Sequence, residues 1–95
     1  MAQYFLTNKA VEDLSKIWDY TNEVWSEGQA DNYYGLLIGF CKRISENPNI
    51  GKNYIEIEKN IFGYKASQHV IFYGVIKLYE IEIFEVFARK NGFEV

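Results

Sequence analysis

Two hydrophobic periodicities divide the chain. Up to residue 46 apolar side chains recur every three or four positions, the spacing of an amphipathic helix; beyond residue 53 they alternate, the spacing of a strand. Ala10, Leu14, Ile17, Thr21 and Trp25 fall on one stripe at about 100° per residue, flanked by Val11, Trp18 and Val24. Thr7 or Asn8 is placed to cap this helix, with Glu12 and Asp13 near its positive end. Ser26-Glu27-Gly28 breaks the pattern. A second helix is predicted from about Gln29 to Glu46, with Ala30, Tyr33, Tyr34, Leu37, Phe40, Cys41 and Ile44 on its apolar face. The short connection makes the two an antiparallel hairpin, stripe against stripe.

Asn47-Pro48-Asn49-Ile50-Gly51-Lys52-Asn53 reads as a linker. Tyr54 to Lys59 alternates cleanly and predicts a strand with Ile55 and Ile57 facing inward. Asn60 to Gly63 reads as a turn, and Tyr64-Lys65-Ala66 as the start of the next strand. His69 to Tyr73 is a strong β segment, and Tyr79 to Ala88 another. In the latter Ile81 and Ile83 keep one phase while Phe84 and Val86 keep the other, which implies burial on both faces or a bulge. A short strand at Gln3 to Leu6 completes the sheet. The predicted fold is α+β, in the order β-α-α-β-β-β, with the helical hairpin on one face of a small, mainly antiparallel sheet. Leu14, Ile17, Leu37, Phe40, Ile71 and Phe72 are the expected core.

At 95 residues, 48% hydrophobic and 18% aromatic, residues 1–95 are expected to form one domain, with aromatic side chains left over for the surface. No basic stretch followed by an apolar run marks a signal peptide, and no apolar run approaches a membrane span, so a cytoplasmic location without membrane association is expected. Residues 1–48 carry seven carboxylates against four lysines and arginines, whereas residues 49–95 carry six of each. Neither half has the basic surplus that phosphate-dominated binding needs, so tight direct nucleic-acid binding is not expected.

The single Cys41 and single His69 make neither an internal disulfide nor a structural zinc site. His69 heads an apolar strand and reads as a histidine satisfied by a backbone or carboxylate hydrogen bond, and Cys41 as buried filler. Glu80 and Glu82 share a strand face, which with Glu85 is better explained by solvation than by acid–base chemistry. No metal, nucleophile or phosphate-binding motif is present, so no catalytic residue and no cofactor is assigned. Gly35 and Gly39 are harder to place. They lie about 160° from Leu37, opposite the buried stripe, and each costs roughly 1 kcal/mol relative to alanine inside a helix. With Leu36 and Ile38 beside them they would form a shallow groove that another backbone could approach.

Leu6-Thr7, Ala10, Asp13-Leu14, Ile17, Tyr20-Thr21, Trp25, Gln29-Ala30, Tyr33, Leu37, Pro48, Gly51 and the segment His69-Val70-Ile71-Phe72-Tyr73 resemble the ParE family of plasmid- and chromosome-borne toxins, within the ParE/RelE superfamily. The resemblance spans nearly the whole chain. It implies a helical hairpin on an antiparallel sheet and a cognate antitoxin that wraps and neutralises the toxin in a hetero-oligomer. It further implies a protein target such as DNA gyrase, poisoned without a catalytic residue set. The antitoxin would then lie over Gly35, Leu36, Ile38 and Gly39. Two positions depart from the family pattern in the stretch Ile83 to Lys90: Glu85 stands where relatives carry arginine, and Ala88 where they carry histidine. They raise the alternative of a toxin without activity. RelE-like ribonucleases, the sister branch, need cations to hold phosphates, and this chain offers only Arg43 and Arg89 as arginines. Tyr73 and Tyr79 are the proton-transfer candidates under that alternative, though both read better as structural residues.

Overall fold

Thr7 ends the first strand and begins the first helix. In the computed structural model, which describes residues 2–89, strand β1 covers Gln3–Leu6 and helix α1 covers Asn8–Val24. Thr7 Oγ1 accepts the Ala10 N–H at 3.0 Å, the N-cap expected of a threonine at this position. Helix α2 covers Glu27–Glu46 and starts two residues earlier than its apolar pattern does, because Ser26 caps it by accepting the Gln29 N–H. A 3-10 turn at Pro48–Ile50 leads to β2 (Lys52–Asn53), β3 (Phe62–Ala66), β4 (His69–Lys77) and β5 (Glu80–Ala88).

The sheet order is β1-β5-β4-β3-β2. Neighbours pair antiparallel except β1, which runs parallel to β5 with Gln3 opposite Glu80 and Leu6 opposite Ile83. Both helices pack on one face, and the core lies between: Ala10 and Leu14 from α1, Leu37, Cys41 and Ile44 from α2, Ile71 and Tyr73 from β4, Ile81, Ile83 and Val86 from β5. The order β-α-α-β-β-β-β has one short strand more than expected, while the expected α+β fold, with the helical hairpin on one face of the sheet, is present.

Several local expectations are not. The run Tyr54 to Lys59 forms no strand. The Tyr54 carbonyl accepts the N–H groups of Ile57 and Glu58, bending the chain into a turn, and only Lys52 and Asn53 pair with β3. Ile55 and Ile57 are 68% and 62% exposed instead of facing inward. Phe62 and Gly63, expected in a turn, open β3. Trp25 follows the last turn of α1 as its C-cap and is exposed, and Tyr34 leaves the buried stripe of α2. Of the expected core, Leu14, Leu37 and Ile71 are buried, while Ile17 and Phe40 are half-buried at its margin. Phe72 is half-buried on the other side of the sheet, because it lies between the inward-facing Ile71 and Tyr73.

The double phase of β5 is a bulge. Phe72 pairs with Glu85 and Tyr73 with Ile83, so Phe84 is the extra residue. Before it Ile81 and Ile83 face the helices; after it Val86 does.

Candidate interaction surfaces

A bulge leaves backbone groups out of the ladder, and here α1 satisfies them. Thr7 Oγ1 donates to the Phe84 carbonyl at 2.8 Å, and Asp13 Oδ2 accepts the Val86 N–H at 3.0 Å. The other Asp13 oxygen lies 2.7 Å from Lys9 Nζ, which also approaches Glu85 at 3.5 Å. One ammonium thus faces two carboxylates. These two carboxylates hold the Lys9 ammonium more firmly protonated than usual, Asp13 contributing most. Glu85 belongs to this cluster.

The bulge also re-aims Phe84. Its ring lies over Gly74 on the sheet face away from the helices, where a Cβ on Gly74 would come within 2.7 Å of the ring. Gly63 plays the same part beside Tyr54 and Phe72, the first of whose rings would be 2.7 Å from an added Cβ. At both positions an added side chain would push the ring from its place against the strand. Phe72 meets Tyr54 edge-on at 5.3 Å between centroids and Phe87 at 6.4 Å. With Ile57 and Ile61 from the turn after β2, Phe72, Phe84 and Phe87 line an open, mainly apolar groove of about 560 Å³. Its two charged lining residues are Glu58 and Glu85.

A second surface is the outer side of α2. Nothing lies within 4 Å of a Cβ added to Gly35 or Gly39, so both glycines face open space as the helical phase requires. Leu36 beside them is 44% exposed. Ile38 is half-buried and packs against the core, so it forms the base of this surface rather than a free wall.

Of the candidate chemical groups, His69, Tyr73 and Cys41 are engaged in structure. Tyr33 Oη lies 2.7 Å from His69 Nδ1 and accepts the Gln68 N–H at 3.1 Å. The arrangement that satisfies all three has Tyr33 donating to Nδ1 of the neutral ring. The partner of His69 is therefore a tyrosine from α2, neither backbone nor carboxylate, and no local sequence signal joins two residues 36 apart. Burial lowers the His69 pKa below its ordinary value, opposed by the charge of Asp13. Ala88 pairs directly across from His69. Tyr73 is buried, and its hydroxyl donates to the Pro48 carbonyl while accepting the Gly51 N–H at 3.1 Å. Cys41 is fully buried, which pushes its thiol up to about 11. Tyr79 sits exposed in the β4–β5 turn with φ at 67°. Among the described residues no three His, Cys, Asp or Glu side chains converge as metal ligands, and no helix is long and apolar enough to cross a membrane. Lys90 lies outside the described residues.

Comparison with known proteins decides the family. The model of a family described as the ParE toxin of the type II toxin–antitoxin system, parDE, matches residues 4–92. This chain belongs to the ParE toxin family. It is the toxin component of a type II toxin–antitoxin module. Toxin ParE1 of Mycobacterium tuberculosis is 30% identical over 89 residues, which cover 94% of this chain and 91% of that protein. Toxin ParE1 of Caulobacter vibrioides is 31% identical over 75 residues, covering 79% and 78% of the two chains. A chain from the solved structure of the chromosomal ParDE system of P. aeruginosa superposes with a TM-score of 0.78 at 19% identity, over 93% of this ParE chain and 96% of that one. At that identity the likeness is one of fold.

Proposed function

We propose that this ParE toxin acts by binding a protein target, such as DNA gyrase, without catalysing a reaction, and that a cognate antitoxin neutralises it by covering the outer face of α2. The observation that carries the reading is the apolar groove on the helix-free sheet face, whose charged residues are both carboxylates. Carboxylates at that face repel a phosphate backbone, while its exposed rings suit a protein surface. The two tyrosines open to proton transfer support the same reading: Tyr73 is held in the core by Pro48 and Gly51, and Tyr79 lies in a turn.

Antitoxin placement rests on Gly35 and Gly39, with Leu36 as an exposed apolar contact and Ile38 beneath. Two glycines facing outward give no packing return within the domain, and they admit a closely approaching backbone. The acidic balance of residues 1–48 favours a basic antitoxin segment, with an affinity that falls as salt rises. Induction of the toxin alone in a bacterial host should slow growth with DNA damage and filamentation. Rapid transcript cleavage at ribosomal positions would instead promote a RelE-type ribonuclease, and no effect at all a toxin without activity. Gly39→Trp, whose new side chain has open space, should weaken antitoxin binding by calorimetry in a folded protein. Unchanged affinity removes the α2 site.

A further inference from the structure

A two-layer domain with helices on one side ordinarily presents polar side chains on the free side of its sheet. Here that side carries Phe72, Phe84 and Phe87, with Phe87 54% exposed. The exception is built in. Regular alternation would send two of the four residues Phe84 to Phe87 to the free face; the bulge sends three, Phe84, Glu85 and Phe87, and leaves only Val86 with the helices. Gly63 and Gly74 supply the bare backbone on which the rings lie. Thr7 and Asp13 hold the bulge from α1.

We propose that this groove is the surface through which the toxin engages its target, and that it takes a protein segment presenting an aromatic or aliphatic anchor flanked by lysine or arginine. The proposal rests on the reading of the chain as a protein-binding toxin. Anchor and flank follow from different features. Rings from β4 and β5 and the isoleucines of the turn leave a mainly apolar lining, the environment in which a buried anchor side chain carries most of the binding energy of an interface. The rim is anionic. Glu58 has no cation within ion-pair distance among the described residues, and Glu85 shares Lys9 with Asp13, which leaves one net negative charge in that cluster. An incoming cation completes the pairing, while a nucleic acid or an acidic peptide is repelled. The α2 surface lies on the opposite side of the sheet, so an antitoxin seated there leaves the groove unobstructed by direct contact.

The test uses the full chain and synthetic peptides carrying a Phe-Leu anchor, flanked either by lysines or by glutamates, followed by backbone amide shifts in NMR. The lysine peptide should shift Phe72, Phe84 and Phe87, bind more weakly as salt rises, and exceed the glutamate peptide by roughly tenfold or more. Glu58→Lys, in an exposed turn, takes the rim from two net negative charges to none and should remove that preference. Phe87→Ser should lose binding of both peptides and abolish growth arrest while antitoxin affinity is retained. Equal binding of the two peptides by the wild type, shifts centred away from the groove, or an undiminished preference in Glu58→Lys overturns the proposal. So does concentration-dependent self-association through the same face, or stronger binding there by a single-stranded RNA oligonucleotide. Should the wild-type chain cause no growth arrest, the toxin reading fails on its own, and the peptide titration still decides the groove.

Discussion

Asp13 on the second turn of α1 accepts the backbone N–H of Val86, 73 residues later in the chain, at 3.0 Å. Its partner is the residue that resumes the inward phase of β5 after the bulge. An aspartate in the first half of a helix is usually read for its effect on the helix dipole. In this ParE chain it fixes the register of a distant strand and, through Lys9, the position of Glu85.

Asp13→Ala should therefore cost more than the loss of an exposed helix charge. A part-buried N–H bonded to a carboxylate loses its partner, with an expected destabilisation of about 1.5–3 kcal/mol in urea unfolding. The amide of Val86 should also exchange faster with solvent. A change below about 0.5 kcal/mol would show that water replaces the carboxylate without cost.

Truncating the core separates the two faces of the sheet and hairpin. Leu14→Ala or Leu37→Ala should each cost about 2–5 kcal/mol, since both side chains are buried among well-packed neighbours. Ile55→Ser should stay within about 0.5 kcal/mol, because Ile55 is exposed in the turn after β2. Comparable losses at all three positions would contradict the placement of that turn.

Stability should fall on mild acidification in a way that depends on His69. Its folded pKa is lowered from an ordinary 6.5 by burial, so above that value both folded and unfolded chains carry the neutral ring and stability is highest. As pH drops from 6.5 towards the folded value, the unfolded chain binds the proton first and stability is lost. The urea midpoint of the wild type should thus fall more steeply between about pH 7 and 5.5 than that of His69→Gln. Parallel curves for the two proteins would mean that the Tyr33 hydrogen bond follows the ring through protonation unchanged.

Much of this fold was legible in sequence because its elements obey their periods. Leu14 and Leu37 announce two buried stripes, and Ile71 a buried strand. The α2 glycines, too, lie where helical phase puts them. Ile55 and Ile57 mislead for a physical reason: alternation records which side chains could share a face, but a strand also needs a partner, and past Asn53 the chain turns away from β3. The groove left one trace, the phase change between Ile83 and Val86. The sequence allowed a bulge there without saying that Phe84 would lie on Gly74, which depends on two strands meeting in register. The Tyr33–His69 pair left no trace, since it joins a helix to a strand start through the tertiary fold alone.

The parallel pairing of β1 with β5 sets an order of events during synthesis. Thr7 cannot bond the Phe84 carbonyl, nor Leu6 lie beside Ile83, until residues 77 positions later have been made. A nascent chain that ends at β4 holds both helices, yet the strand against which α1 packs most, β5, does not yet exist. Such non-local closure is slow to form and comes late. The aromatic floor is completed by β5, so among the described elements the groove is the last surface to come into being, only after Phe87 has left the ribosome and β5 has paired with β4.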